Sequence, residues 1–143
     1  MFNRVRLLRD MTDQQLASRR LKCARRLKRR AAEYDEYTAV LERKTRRLAR
    51  IAPFARVGEL RRISINVRSA ADVFARAANT CTAIGATPAV SALRDARQQI
   101  LAALDRFLAE VAQGNIGSAR AILITPLRGA GGVFREALQA VGG

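Results

Sequence analysis

Apolar positions recur with helical spacing through most of the chain. From Leu16 to Leu48 they lie three and four residues apart with no Gly or Pro between them, which predicts one helix of nearly forty residues. Such a helix is roughly 55 Å long at 1.5 Å per residue. Thr12-Asp13-Gln14-Gln15 has the form of a capping box, so we expect the helix to begin there. The predicted apolar face comprises Leu16, Cys23, Ala24, Leu27, Ala31, Tyr34, Thr38, Leu41, Thr45 and Leu48.

Two further substantial helices follow. Residues 51–58, with Pro53 and Gly58, interrupt the pattern, so the second helix is predicted from about Glu59. Its apolar face is Leu60, Ile63, Val67, Ala70, Phe74, Ala77, Cys81 and Ile84. A third helix is predicted over 88–113, with Thr87 as its N-cap and Pro88 at its first position. Its inward face is Val90, Leu93, Ile100, Leu104, Phe107 and Val111, widened by Leu101 and Leu108.

The C-terminal part is predicted to be broken. A short helical run, 119–125, stops at Pro126, and the glycine-rich residues 129–132 then form a flexible joint before a last short helix. A phosphate-cradling loop at 129–132 is the alternative, but the spacing of Walker and dinucleotide motifs is absent and no strand precedes it. We therefore predict a single all-α domain over 1–143, an antiparallel helical bundle with residues 1–11 flexible.

The net charge of the chain indicates what kind of partner it binds. The chain carries 27 Lys and Arg against 12 Asp and Glu, a net charge of +15, and residues 1–62 alone carry +12. The guanidinium group of arginine can donate two parallel hydrogen bonds to the oxygens of one phosphate. A GC-rich genome explains a preference for Arg over Lys but not its clustering along the chain. We expect a nucleic acid as partner, with an acidic protein or an anionic membrane surface as alternatives.

The basic side chains of the long helix concentrate on the side opposite its apolar face. We name the eight within residues 19–30 the first basic cluster and the five within 43–50 the second basic cluster; their centres are about 30 Å apart. A solvated face normally mixes both signs, whereas here each cluster is free of acidic residues and Glu33 and Glu36 lie between the clusters on the same side. The predicted nucleic-acid-binding residues are Arg19, Lys22, Arg25, Arg26, Lys28, Arg29, Arg43, Arg46, Arg47, Arg50, Arg61 and Arg62. Arg20 and Arg30 lie too near the apolar face to be included.

Few aromatic residues accompany these cations. Tyr34 falls on the apolar face and is predicted to be core, whereas Tyr37 lies off it and is the better candidate for a base or sugar contact. Binders of single strands usually stack bases on aromatic rings, so we expect contact with the phosphate backbone without sequence readout. A helix-turn-helix over 108–122 is an alternative, but Arg120 is the only residue of its second helix that is suited to contact base edges.

Nothing in the sequence points to an enzyme. The chain has no His, its acids lack metal-binding spacings, and Cys23 and Cys81 belong to no CxxC pair, so we expect no catalytic residue, metal, cofactor or small-molecule substrate. Both cysteines fall on apolar faces and are predicted to be free, buried thiols in a reducing compartment; a bridge between them is the alternative. No apolar segment fits a signal peptide or a membrane span, so we expect a soluble cytoplasmic protein.

A compact, basic, all-α chain with a long arginine-rich helix, over residues 12–113, resembles the small subunits of multi-subunit CRISPR effector complexes. The likeness is one of architecture and of the distribution of basic residues. It implies copies stacked along a ribonucleoprotein, touching the guide–target duplex or a displaced strand and holding neighbouring backbone subunits. We expect RNA or single-stranded DNA to be the favoured partner. Helical nucleocapsid subunits, plasmid RNA-binding bundles and relaxosome accessory proteins fit nearly as well. A structural subunit that binds acidic proteins is the alternative from another class.

Overall fold

The computed structural model describes residues 12–82 and 87–142, which form four α-helices and no strand. The helices are α1 (Asp13–Leu48), α2 (Pro53–Thr82), α3 (Thr87–Ala112) and α4 (Ile116–Ala140). α1 packs against α2 and α4, and α3 packs against the same two helices. α1 and α3 therefore occupy diagonally opposite corners. The predicted all-α helical bundle is confirmed.

Cross-helix contacts show that neighbouring helices run antiparallel. Cys23, near the start of α1, is bonded to Cys81 at the end of α2. In the middle of the bundle, the Tyr34 hydroxyl on α1 donates a 2.6 Å hydrogen bond to the Leu127 carbonyl oxygen on α4. α3 and α4 are joined by a short turn in which Gly114 adopts a φ of 88°. As antiparallel neighbours they do not form the crossed pair of a helix-turn-helix.

The predicted start of α1 is confirmed. The Gln15 amide donates to the Thr12 hydroxyl at 3.2 Å, and the Thr12 amide donates to the Gln15 side-chain oxygen at 3.0 Å, which completes the capping box. The 36 residues of α1 span about 54 Å. Its fully buried side chains are those of Cys23, Ala24, Leu27, Tyr34, Leu41, Thr45 and Leu48, all on the predicted apolar face.

α2 begins six residues earlier than the pattern predicted. It starts at Pro53, and Gly58 lies within it, so the interruption is confined to residues 49–52. Proline is well tolerated at a first helical position, where its missing amide would have no partner. A single helical glycine costs about 1 kcal/mol, too little to end a helix whose next turns are buried.

The predicted break in the C-terminal segment is wrong. α4 is continuous from Ile116 to Ala140, with Pro126 inside it and the glycine-rich residues 129–132 helical, so they form no joint. An interior proline costs about 3 kcal/mol. Tertiary packing offsets this, because one face of the helix on both sides of the proline is buried. The buried residues are Ala119, Leu123, Ile124, Leu127, Ala130, Phe134 and Ala137.

Three aromatic rings from different helices meet at the centre of the core. Phe74 of α2 stacks on Phe134 of α4 with ring centroids 4.6 Å apart, and Tyr34 of α1 meets Phe74 edge-on at 4.8 Å. Tyr34 is 1% exposed, so its prediction as a core residue is confirmed. Burial raises the pKa of its hydroxyl well above the usual range. These contacts fix the position of α1 against the rest of the bundle.

The prediction of two free thiols is wrong. Cys23 and Cys81 are both buried, as expected, but they form a disulfide whose Cα atoms are 5.4 Å apart. The apolar faces on which they were placed face each other across α1 and α2, which brings the sulfurs together. The expectation of a reducing compartment rested in part on free thiols, and the disulfide removes that part of the argument.

Two predictions lie outside the described residues: the flexibility of residues 1–11 and the inward position of Ile84. Within the ranges that the structure does describe, no helix has both the length and the apolar character needed to cross a membrane.

Candidate nucleic-acid interface

All twelve predicted binding side chains are exposed. Ten of them lie on α1 or in the turn that follows it, and Arg61 and Arg62 lie on α2. Because α1 contacts only α2 and α4 closely, its outward face is uncovered along the helix. Arg20 and Arg30 were not predicted to bind, because both lie near the apolar face. Arg30 is indeed half-buried, but Arg20 is exposed. Whether the twelve bind nucleic acid stays a prediction.

The orientation of α1 separates its cations from the core. At 100° per residue, Arg25, Arg29, Arg43 and Arg47 point away from the direction of the buried Tyr34. The capping box, the aromatic contacts and the disulfide hold the helix in this rotation. The outward-facing members of the two basic clusters consequently lie on one side of the molecule, with the cluster centres about 30 Å apart along one continuous helix.

Two of the five acidic side chains on α1 bind arginines that lie outside the predicted site. Glu33 accepts hydrogen bonds from Arg30 at 2.8 Å and from Arg76 of α2 at 2.9 Å. Glu42 accepts one from Nε of Arg128 on α4 at 2.6 Å. Each of these two carboxylates is thus bound by at least one arginine that lies outside the predicted site. The pairs with Arg76 and Arg128 could not be predicted from the sequence, because the pattern of α1 does not reveal which helices lie beside it.

Among the described residues, only one of the twelve predicted cations has an acidic group within 4 Å. Arg62 pairs with Glu59, whose Oε2 lies 3.2 Å from its Nη1. Glu59 is 5% exposed, so this carboxylate is buried beneath an exposed guanidinium. For the other eleven, no acidic group of the described ranges lies within 4 Å, which leaves their exposed guanidinium and ammonium groups accessible to an anionic ligand.

The environment of Glu42 shows how strong the local positive charge is. The hydrogen bond from Arg128 lowers the pKa of the Glu42 carboxyl, and the nearby charges of Arg46 and Arg120 lower it further. Three guanidinium groups thus act on one carboxylate at the groove between α1 and α4. The groove keeps an excess of positive charge even with Glu42 ionised.

α3 provides an internal comparison. It carries three basic and three acidic side chains, a balance typical of a solvated helix face. α1 carries twelve basic and five acidic side chains. The two helices lie at opposite corners of the same bundle, and α3 is balanced in charge although it too has an exposed face, so solubility alone does not explain the composition of α1.

Aromatic residues are distributed differently from the prediction. Tyr37, the candidate for a base contact, is half-buried and packs against the core. Phe54, at the second position of α2, is 89% exposed and lies four residues after Arg50. Phe54 was not among the residues that the sequence predicted for the site. The predicted start of α2 at Glu59 left Phe54 in a loop, and its exposure on a helix could not be foreseen.

Comparison of the chain with protein-family models, curated proteins and solved structures found no match.

Proposed function

We propose that this protein is a non-enzymatic nucleic-acid-binding protein that contacts the phosphate backbone through the basic face of α1 without reading sequence. The observation that carries the proposal is the row of exposed cations on α1, of which the predicted binding residues have no acidic group of the described ranges within 4 Å. Like charges at this density repel one another, and a polyanion laid along the helix relieves the repulsion and releases its own counterions. Arginine suits this task because its guanidinium binds phosphate oxygens in pairs.

The dimensions of α1 suit a polymer better than a small anion. A strand that touches both basic clusters must extend about 30 Å, a distance that takes several consecutive nucleotides to span. A single phosphate or carboxylate would occupy only one of the clusters. We propose RNA or single-stranded DNA as the preferred ligand.

We further propose that the protein works as a subunit of a larger ribonucleoprotein, as its resemblance to small CRISPR effector subunits implies. Its partners would then include other protein subunits or further copies of itself. The disulfide bears on the compartment, because such bridges persist in oxidising environments and are rare in the cytosol. A cytoplasmic assembly requires that the bridge be shielded from cellular thiols, and the burial of Cys23 and Cys81 supplies such shielding.

A structural subunit that binds acidic proteins is the second candidate. The exposed Val57 and Ile65, 68% and 57% exposed on the outward side of α2, favour it because they offer apolar contact next to cations. Dependence on salt separates the two functions. Binding to nucleic acid weakens steeply as salt rises, whereas an apolar protein interface does not.

The test is fluorescence anisotropy of labelled single-stranded RNA, single-stranded DNA and duplex DNA, at salt from about 50 to about 300 mM. Arg25→Gln/Arg29→Gln removes two charges from the first basic cluster. Arg94→Gln/Arg106→Gln removes two exposed charges from α3 and is the matched control. We expect the first variant to bind more weakly and to flatten the plot of log affinity against log salt by roughly 0.7–0.9 per lost phosphate contact.

The control should bind like the wild type. Equal losses in the two variants would mean that overall charge, not the face of α1, governs binding. Absence of binding by the wild type to every probe at low salt would refute the proposed function.

A further inference from the structure

The most exposed large apolar side chain of the described residues lies beside the second basic cluster. Phe54 is 89% exposed, and Val57, three residues later on the same face of α2, is 68% exposed. Phosphate contacts give no reason for an aromatic ring in this position. A ring exposed to water next to cations is suited to a ligand that has both an apolar, flat surface and a negative charge.

Cations border this ring on both sides. Arg50 precedes Phe54 by four residues, so their Cα atoms are at most about 14 Å apart. Arg61 follows Val57 by one helical turn, and both arginines are exposed. The first turn of α2 contains no acidic side chain, so the positive end of its helix dipole adds to the same potential.

The ring is presented on a rigid support. Pro53 immediately precedes it, and the turn is held by hydrogen bonds from the Arg50 amide to the Arg47 carbonyl and from the Ala55 amide to the Ala52 carbonyl, both 2.9 Å long. Ile51 packs against the core beneath the turn. A ligand that stacks on Phe54 therefore need not order the backbone first, which favours binding.

We infer that Phe54 is a stacking platform for an unpaired base of a single-stranded nucleic acid, with Val57 extending the platform and Arg50 and Arg61 holding the adjacent phosphates. The inference rests on the proposed function and sharpens it to one ligand class. Aromatic side chains next to basic grooves bind single strands in this way, because every base has a face that can stack. The bases inside a duplex are already stacked on one another and offer no free face.

The same helix face offers a discriminating control. Ile65 is 57% exposed and lies eleven residues after Phe54 on the outward side of α2, about 16 Å along the axis. A protein helix docked on this face would cover Ile65 as well as Phe54. A single base stacked on Phe54 would not reach it.

The chain contains no tryptophan, so Phe54→Trp introduces a unique fluorophore at the platform. We expect saturating single-stranded RNA or single-stranded DNA to quench its emission, and a duplex of equal length to leave it nearly unchanged. Phe54→Ala should weaken single-strand binding by about 5- to 100-fold, the range that loss of one stacked base produces, without weakening duplex binding. Ile65→Ala should bind like the wild type. Circular dichroism melts establish that each variant is folded.

Three outcomes would overturn the proposal that Phe54 stacks on a base. The first two leave the phosphate-binding function intact. One is wild-type affinity of Phe54→Ala for single strands while Arg25→Gln/Arg29→Gln loses binding. The other is an equal loss of binding in Ile65→Ala and Phe54→Ala, which identifies an extended apolar docking face. A shift in Phe54→Trp emission with vesicles of equimolar phosphatidylserine and phosphatidylcholine, but not with single strands, also overturns it in favour of a lipid surface. Failure of the wild type to bind any nucleic acid refutes the proposed function itself.

Discussion

Cys23 of α1 is bonded to Cys81 of α2 directly behind the first basic cluster, with 58 residues of sequence separation between them. Before Tyr34, the only other fully buried residues of α1 are Ala24 and Leu27. The N-terminal part of the helix therefore has little apolar contact with the bundle, while its outward face carries mutually repelling charges. The disulfide is the strongest single constraint that keeps this part of α1, and its cations, in place.

Reduction of the bridge should destabilise the protein. We expect the free energy of unfolding to fall by about 2–5 kcal/mol, because the reduced unfolded chain regains the entropy that the closed loop denies it. Urea denaturation with and without dithiothreitol measures the change. Cys23→Ala/Cys81→Ala is the control, since its stability should not respond to the reductant. Identical urea midpoints for oxidised and reduced wild type would contradict the prediction.

Reduction should also loosen α1 locally before the rest of the bundle unfolds. Hydrogen exchange followed by mass spectrometry should show faster exchange over residues 13–30 in the reduced protein than over α3, because the first segment has few other buried contacts. Uniform protection of both segments after reduction would mean that the apolar contacts of Ala24 and Leu27 suffice to hold the helix.

The parts of the fold that the sequence predicted are those with local causes. The capping box at Thr12 satisfies amides only three residues away, and the apolar spacing of α1 and α3 reports burial directly. The exposure of the twelve cations followed from the same periodicity. These predictions needed no knowledge of how the helices pack.

The parts that were missed depend on contacts between distant residues. Pro126 and the glycines after it are local signals for a break, yet α4 stays helical because Leu127 and Phe134 are buried against other helices. The disulfide and the pair of Glu42 with Arg128 join segments 58 and 86 residues apart. No pattern in a single sequence encodes such pairings, so part of the candidate site became visible only in the folded bundle.

Replacing the glycines of residues 129–132 in α4 with alanine should stabilise the protein. A Cβ added at Gly129 or Gly132 meets nothing within 4 Å, and one at Gly131 meets only Cε2 of Tyr34, at 3.8 Å. Each Gly→Ala change should therefore stabilise the protein by about 0.5–1 kcal/mol, through the higher helix propensity of alanine. Thermal denaturation measures the effect.

Gly114→Ala is the matched control for this series. Its φ of 88° lies in the left-handed region, so alanine should destabilise the protein there although nothing obstructs its Cβ. Destabilisation by Gly129→Ala and Gly132→Ala would instead indicate that residues 129–132 work as the joint that the sequence suggested.

The buried Tyr34 hydroxyl should contribute to stability at neutral pH and lose its contribution in alkali. Tyr34→Phe removes the 2.6 Å hydrogen bond to the Leu127 carbonyl and should lower the free energy of unfolding by about 1 kcal/mol. Because burial raises the pKa of Tyr34 in the folded state, the unfolded chain loses its proton first as pH rises. Wild-type stability should therefore decline above about pH 10, the ordinary tyrosine pKa.

The phenylalanine variant separates this effect from other alkaline titrations. Urea denaturation of both proteins between about pH 9 and pH 11 should show a steeper decline for the wild type, since only it contains the shifted hydroxyl. Parallel declines would mean that the pKa of Tyr34 does not differ between the folded and unfolded states.

Glu42 links stability to the charge of the binding face. Its pKa is lowered in the folded protein, so its ion pair stabilises the fold above the ordinary glutamate pKa of about 4.3, and this contribution is lost as pH falls through the lower folded value. Glu42→Gln should therefore reduce stability at neutral pH and flatten the loss of stability below about pH 4.5. Urea denaturation across this range measures both effects.

The same substitution should strengthen nucleic-acid binding, because Arg128, Arg46 and Arg120 lose the carboxylate that they share. We expect tighter binding and a slope of log affinity against log salt that is steeper by roughly 0.7–0.9, the contribution of one additional phosphate contact. Asp105→Asn makes the same change of charge at an exposed position on α3, the helix opposite α1, and should leave affinity unchanged. If both variants gain equally, the groove between α1 and α4 has no special part in binding and the net charge of the chain accounts for the gain.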